Sequence, residues 1–193
     1  MRNEAPALLP IFRSQNQAEM LMWLFLHATE EFSISELAAK VNAPVPTMFR
    51  EVERLEDAGL LNSRMLGRNR MVQINRDHPA AEPLARLLEV TFGPRFVVEQ
   101  EFGRLGAEKV ILFGSWAARH SGKTGISPSD VDVLVVGDVK RADVYAAADR
   151  AQERLGIQVN PVISTAGQWS YPQNALILQI QSDAYLIVID NND

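Results

Sequence analysis

Two prolines two residues apart, Pro44 and Pro46, interrupt what would otherwise read as one long helical stretch. Proline has no amide hydrogen and disfavours helical geometry in the residue before it. Asn42-Ala43-Pro44-Val45-Pro46 is therefore a break between two helices. Before it, Ile34, Leu37, Ala38 and Val41 recur at i, i+3, i+4 and i+7, which is one apolar helix face. Ser33 and Glu36 have the spacing of a capping box at its start. After the break a helix is expected from near Thr47. Phe49, Val52 and Leu55 would face inward, Thr47, Arg50, Glu51 and Arg54 outward, and Gly59 would sit at a left-handed C-cap. Upstream, Met20, Trp23, Leu24 and His27 make another helix face, an element that Phe32 and Ser33 end.

Leu61 to Leu66 and Met71 to Asn75 flank a Gly67-Arg68-Asn69-Arg70 turn, which predicts a β-hairpin. It carries Arg64, Arg68, Arg70 and Arg76, with no acid between Arg64 and Arg76. This matters because the net charge is -5, so nucleic acid would have to be held by a local basic patch. A short helix, a tight break and a second helix are the helix-turn-helix layout, whose second helix enters the major groove. Arginine there reads guanine edges or binds phosphate. The run Thr47 to Leu61, TMFREVERLEDAGLL, resembles the recognition helix and exit of winged helix-turn-helix regulators of the ArsR-like kind. The Arg-rich hairpin resembles their wing. The resemblance covers roughly Gln17 to Arg76 and implies transcription regulation by a homodimer on double-stranded DNA. Thr47, Arg50, Arg54, Arg64, Arg68 and Arg70 are the candidate DNA-binding residues. Winged helices also serve as protein–protein modules. The chain has no cysteine, so the metal-sensing thiolates of some such regulators have no counterpart.

His78-Pro79 opens a fresh segment. Leu84, Leu87, Leu88 and Thr91 have helical spacing, ended by Gly93-Pro94, and a second helix is expected over Arg95 to Leu105. The expected organisation is a winged helix-turn-helix at 1–77, a helical bridge at 78–105 and a second domain at 106–193.

In the second half, Lys109 to Phe113 is an apolar run that reads as a buried strand. Gly114-Ser115 follows at once, then Trp116-Ala117-Ala118-Arg119 as a helix start. Strand, Gly-Ser turn and helix start form a phosphate cradle, with Arg119 as an added charge. Asp130-Val131-Asp132 precedes Val133-Leu134-Val135-Val136, so the two carboxylates alternate at strand spacing and share a face. Two hard oxygen ligands on one face suit a magnesium ion that bridges to nucleotide phosphates. Trp169 and Tyr171 would line a base pocket or pack, with packing the commoner use. His27, His78 and His120 are too scattered to suggest a metal cluster.

In this order and on these strands, Gly114, Ser115, Asp130 and Asp132 resemble the motif of the minimal nucleotidyltransferases of the DNA polymerase beta superfamily. The resemblance spans roughly Glu101 to Ile189. It implies a two-domain α/β chain (α+β in layout) whose C-terminal part is a short mixed-sheet nucleotidyltransferase-like fold. It also implies Mg2+, with ATP or another nucleoside triphosphate. Catalytic and metal roles fall on Asp130 and Asp132, nucleotide binding on Gly114, Ser115 and Arg119. The loop from His120 to Ser129, with Gly122, Lys123 and Gly125, is longer than in compact members. The third acid of the family aligns with Asn160 on the strand Ile157 to Ile163, and asparagine can neither carry the charge nor take a proton as a base. Asparagine can still ligate through its oxygen, so catalysis would be weak, lost, or rescued by another acid such as Asp183 or Asp190, while Asp143 and Asp149 on the intervening helix read as solvated. A tail helix around Ala175 to Ile180 and a last strand, Tyr185 to Ile189, complete the expected elements.

Two readings follow. One is a DNA-binding transcription regulator whose nucleotidyltransferase-like domain binds nucleotide and Mg2+, or a partner protein. The other is an active, antitoxin-like enzyme that transfers a nucleotidyl group from ATP to a partner such as a HEPN-type toxin. No secretory h-region follows the first residues, and the longest apolar stretch, Met20 to Leu26, is too short for a bilayer. A cytoplasmic protein is expected.

Overall fold

Ser14 takes the amide of Gln17 on its hydroxyl at 3.2 Å and opens α1 (Gln15–Leu26). Then follow β1 (Phe32–Ser33), α2 (Ile34–Lys40), α3 (Val45–Asp57), β2 (Leu61–Leu66), β3 (Asn69–Ile74) and α4 (Ala81–Phe92). The structure, a computed structural model, describes residues 12–123 and 128–191. It divides into two compact units, Met1–Phe92 and Gly93–Asp193.

The expected capping box is present. Ser33 Oγ accepts from the Glu36 amide at 3.2 Å, and the Ser33 amide donates to Glu36 Oε2 at 2.7 Å. The break after α2 is a Schellman cap. The Asn42 amide bonds Ala39 O and the Ala43 amide bonds Ala38 O, with Asn42 left-handed at φ 50. Pro44 is the N-cap of α3 and Pro46 lies in its first turn. The helix thus starts two residues earlier than expected, because the first turn needs no amide donors.

Two side chains of α3 are corrected. Phe49, expected inside, is 39% exposed, and Met48 is buried in its place at 1%. Glu51, expected outside, is buried at 7%. The physical reason is phase. Residues 48, 52 and 55 return to one azimuth after two turns, whereas 49, 52 and 55 drift steadily around the helix. Glu51 is tolerated inside because Gln17 Nε2 donates to its Oε2 at 3.0 Å and Arg54 Nη1 to its Oε1 at 2.8 Å.

The hairpin β2–β3 closes through a two-residue loop with Gly67 at φ 62, the glycine that such a tight reversal requires. Phe32 and Ser33 do more than end a helix. As β1 they pair antiparallel with Val72 and Met71, giving a three-stranded sheet of order β1-β3-β2. The unit is a helix-turn-helix with a wing.

The second unit runs α5 (Pro94–Phe102), β4 (Lys109–Phe113), α6 (Gly114–His120), β5 (Asp130–Val136), α7 (Arg141–Leu155), β6 (Gln158–Ser164), α8 (Ala166–Ser170), α9 (Ala175–Ser182) and β7 (Leu186–Asp190). The stretch 78–105 does not stand apart as a bridge. Its first helix, α4, packs on α1, and its second, α5, packs on α7. The sheet order is β6-β5-β4-β7, and only β5 and β6 are parallel. A parallel pair needs a crossover, which α7 supplies before Gly156 ends it at φ 71. On one sheet face Ile111, Leu134 and Val136 pack against Ile177 and Ile180 of α9, with Phe113, Val162 and Trp169 alongside.

The phase of α3 is testable by urea unfolding. Glu51→Ala strands the Gln17 amide and is expected to cost about 1–3 kcal/mol. Phe49→Ala removes an exposed ring and is expected to cost less than about 1 kcal/mol.

Candidate functional site

The outward face of the helix-turn-helix carries fewer unengaged cations than the sequence suggests. Thr47 lies half-buried in the first turn of α3. Arg50 is exposed and donates from Nε to the Pro46 carbonyl at 3.1 Å. Arg54 is held by Glu51. Arg64 forks onto Glu31 at 2.7 and 2.5 Å. Those hydrogen bonds lower the Glu31 carboxyl below its ordinary value. Arg70 pairs with Glu56, donates to Ser63 Oγ at 3.1 Å and lies 5.5 Å from the Phe49 ring centre. Arg68, in the hairpin turn, and Arg76 are exposed, and among the described residues neither forms an ion pair. The absence of acids within the hairpin did not mean an absence of acids against it, since Glu31 and Glu56 reach it from other elements. The Arg64–Glu31 pair lies at the surface, where solvent screens it and it contributes little to stability. The half-buried Arg70 instead ties the wing to α3.

In the second unit, strand register assembles the carboxylates. Asp130 and Asp132 alternate on β5, so both lie on the face that bears Leu134 and Val136. Phe113 pairs with Asp132 on one side, and Asn160 of β6 pairs with it on the other. Asn160 Nδ2 donates to Asp130 Oδ2 at 3.1 Å and to Asp132 Oδ1 at 3.3 Å. Burial is the first cause that raises the Asp132 carboxyl above its ordinary value. The hydrogen bond from Asn160 lowers it, and the charge of Asp130 raises it further.

Gly114 follows β4 at φ 69, and a Cβ there would stand 2.7 Å from Asp132 Oδ2. Only glycine satisfies both the left-handed backbone and that approach. Ser115 is exposed beside it, as a phosphate donor must be. Arg119 is 8% exposed, which makes it a packed component of α6 rather than a solvent-facing phosphate ligand. Lys123 is exposed, and Gly125 of the same loop lies outside the described residues.

Asp190 cannot replace the third acid. It bonds Lys109 Nζ at 2.6 and 2.5 Å at the far end of β4, four residues and so about 13 Å from Phe113. Asp183 is the exposed C-cap of α9. Trp169 packs edge-on against Tyr185 at 5.8 Å and joins the core, whereas Tyr171, for which packing was also expected, is 82% exposed. Asp143 and Asp149 are exposed on α7.

Among the described residues no group of three or more His, Cys, Asp or Glu is placed to hold a metal ion, and no helix is long and apolar enough to cross a membrane. A magnesium ion needs less than such a cluster when a nucleotide supplies phosphate oxygens. One or two carboxylates suffice. Asp130 and Asp132, with the backbone of Gly114 close against Asp132, fit that arrangement.

No family model matches the chain, and no curated protein matches it significantly. Several solved structures are similar to part of it. ZitR of Lactococcus lactis, a zinc-responsive MarR family member, is similar at 18% identity and a TM-score of 0.37 over 48% of this chain and 62% of its own. MepR, a transcription regulator of the Staphylococcus aureus multidrug efflux pump MepA, is similar at 15% and 0.37 over 43% and 60%. AF1382 from Archaeoglobus fulgidus is similar at 17% and 0.38 over 43% and 93%. The likeness is to winged-helix regulators over about half the chain.

The raised Asp132 carboxyl gives a pH prediction. A raised folded-state value means that the charged form is disfavoured in the folded protein. The stabilising contribution is full below the unfolded value and is lost as pH rises through the folded one. Asp132→Asn should therefore raise the melting temperature of the cation-free protein at pH 7, modestly because the group is partly screened by solvent. The gain should shrink as pH falls through the raised folded value toward about 4, and be gone below that, where the wild-type carboxyl is protonated in both states. Thermal melts in chelator across pH 3.5–7.5 check this.

Proposed function

We propose that this chain is a DNA-binding transcription regulator that acts as a homodimer in the cytoplasm, with a second unit that holds a magnesium–nucleotide complex. The observation that supports it most is the placement of two exposed arginines on one helix-turn-helix unit. Arg50 lies on the N-terminal half of α3 and Arg68 at the tip of the wing. The N-terminal residues of a recognition helix are those that approach base edges. A wing-tip cation has no packing role, so phosphate is its natural partner. Thr47 adds a hydroxyl in the same turn, and Arg64 becomes available once phosphate displaces Glu31.

For the second unit, Gly114 and Ser115 would receive the phosphates of ATP or another nucleoside triphosphate, and Asp130 and Asp132 would hold Mg2+. The close approach of Gly114 to Asp132 supports this reading, since it sets the backbone of the turn directly against one of the two carboxylates. Active transfer to a partner protein, such as a HEPN-type toxin, is the runner-up. An attacking hydroxyl must lose a proton, and the amide at Asn160 cannot accept it. Binding without efficient transfer is the outcome that this chemistry favours.

Gel shifts test the first part, on duplex DNA from upstream of the coding sequence. Arg50→Ala and Arg68→Ala are each expected to weaken binding and to reduce the slope of log K against log salt by about one. Arg54→Ala is expected to do less, because its guanidinium is held by Glu51. A wild-type protein that shows no shift at moderate salt would sink the DNA reading.

A further inference from the structure

Asn160 touches both carboxylates of the β5 pair, at 3.1 and 3.3 Å through a single nitrogen. The orientation of its amide follows from charge. Both neighbours are acceptors, so turning the carbonyl oxygen toward them would set three oxygens against one another, whereas the NH2 group satisfies two at once. The amide also lies where a cation held by Asp130 and Asp132 would need its next ligand, since Asn160 is the direct register partner of Asp132.

We propose that Asn160 is a neutral latch on the carboxylate pair. In the cation-free protein its NH2 bridges Asp130 and Asp132, and when a divalent cation arrives the amide turns over so that Oδ1 becomes a ligand. This rests on the reading of the pair as a metal–nucleotide site and adds a regulatory consequence to it. The amide supplies an oxygen but no charge, so the two carboxylates alone hold a divalent cation weakly. Phosphate oxygens then have to complete its shell, and the site fills with cation and nucleotide together rather than with the cation alone. A third carboxylate in place of Asn160 would reverse both properties. It would leave three acids converging without a donor, and it would capture a bare cation.

The experiment compares full-length wild type with Asn160→Asp and Asn160→Ala. Thermal melts in EDTA at pH 7.5 read the latch, and Mn2+ titrations without nucleotide read the cation. Asn160→Asp is expected to melt several degrees lower than wild type in EDTA, to bind Mn2+ roughly tenfold or more tightly, and to regain its stability when Mn2+ is added. Asn160→Ala removes the bridge without adding charge. It is expected to melt at an intermediate temperature and to gain no more from Mn2+ than wild type. In 1H–15N spectra of wild type, the Asn160 side-chain amide is expected to be protected in EDTA and to lose that protection on addition of Mg2+ with ATP. If Asn160→Asp fails to fold, the Asn160→Ala melt and the wild-type amide signal still decide the matter. Equal melting of wild type and both variants in EDTA would overturn the latch, as would an Asn160 amide that does not respond to Mg2+ with ATP in a protein that binds them. A latch visible in EDTA, with Mn2+ rescue of Asn160→Asp but no ATP binding by wild type, would instead overturn the nucleotide reading and leave the latch standing.

Discussion

The pairing of Asp132 with Asn160 across two parallel strands is the constraint around which the second unit is organised. Two carboxylates on one strand face repel, and a strand cannot turn one of them away without losing its register. The repulsion has to be met from outside the strand. A parallel neighbour is the only source within the sheet on that side, and a parallel neighbour requires a crossover helix. The helix α7 provides it, packs against α5, and delivers β6 with Asn160 at the height of Asp132. Farther along the face on which Asp130 and Asp132 lie half-buried, Leu134 and Val136 are buried against α9. One strand thus carries a polar end and a core end.

The first unit shows the same economy with the opposite sign of charge. A chain of net charge -5 has no general attraction for phosphate. The arginines of its hairpin are partly spent on structure. Arg70 joins the wing to Glu56 of α3, and Arg64 joins it to Glu31 ahead of β1. The Arg70–Glu56 pair holds the wing against α3, the helix that carries Arg50. A wing held in this way loses less conformational entropy when it meets a ligand than a mobile loop would.

Much of this was legible in the sequence, for reasons that are local. Pro44 and Pro46 announce the helix break, Ser33 with Glu36 announces the cap, and Asp130-Val131-Asp132 announces a shared strand face, because each depends only on residues a few positions apart. What was not legible is long-range. The phase of α3 hangs on Met48 and on a glutamate, Glu51, that is made tolerable by Gln17, 34 positions earlier. The acids that engage the hairpin arginines lie on other elements, and no count within the hairpin reveals them. The pairing of Phe32 and Ser33 with β3 has no signature in two residues. At the carboxylate site the identity of Asn160 was readable, but its contact with both aspartates was not, and Asp190 was a plausible substitute only until Lys109 was seen to hold it at the far end of the strand.

That last point bears on what the site is able to do. With Asp190 committed elsewhere and Asn160 neutral, the site offers two carboxylates, an exposed hydroxyl at Ser115, and the backbone of Gly114 close against Asp132. Such a set can orient an anion and its cation. Proton transfer asks for a group that changes charge near the attacking atom, and the nearest such groups are the same carboxylates that would hold the cation. A carboxylate bound to a divalent cation is a poorer base than a free one, because the metal charge stabilises its deprotonated form. The described residues at this site therefore supply ligands for an anion and a cation, but no separate group to take a proton.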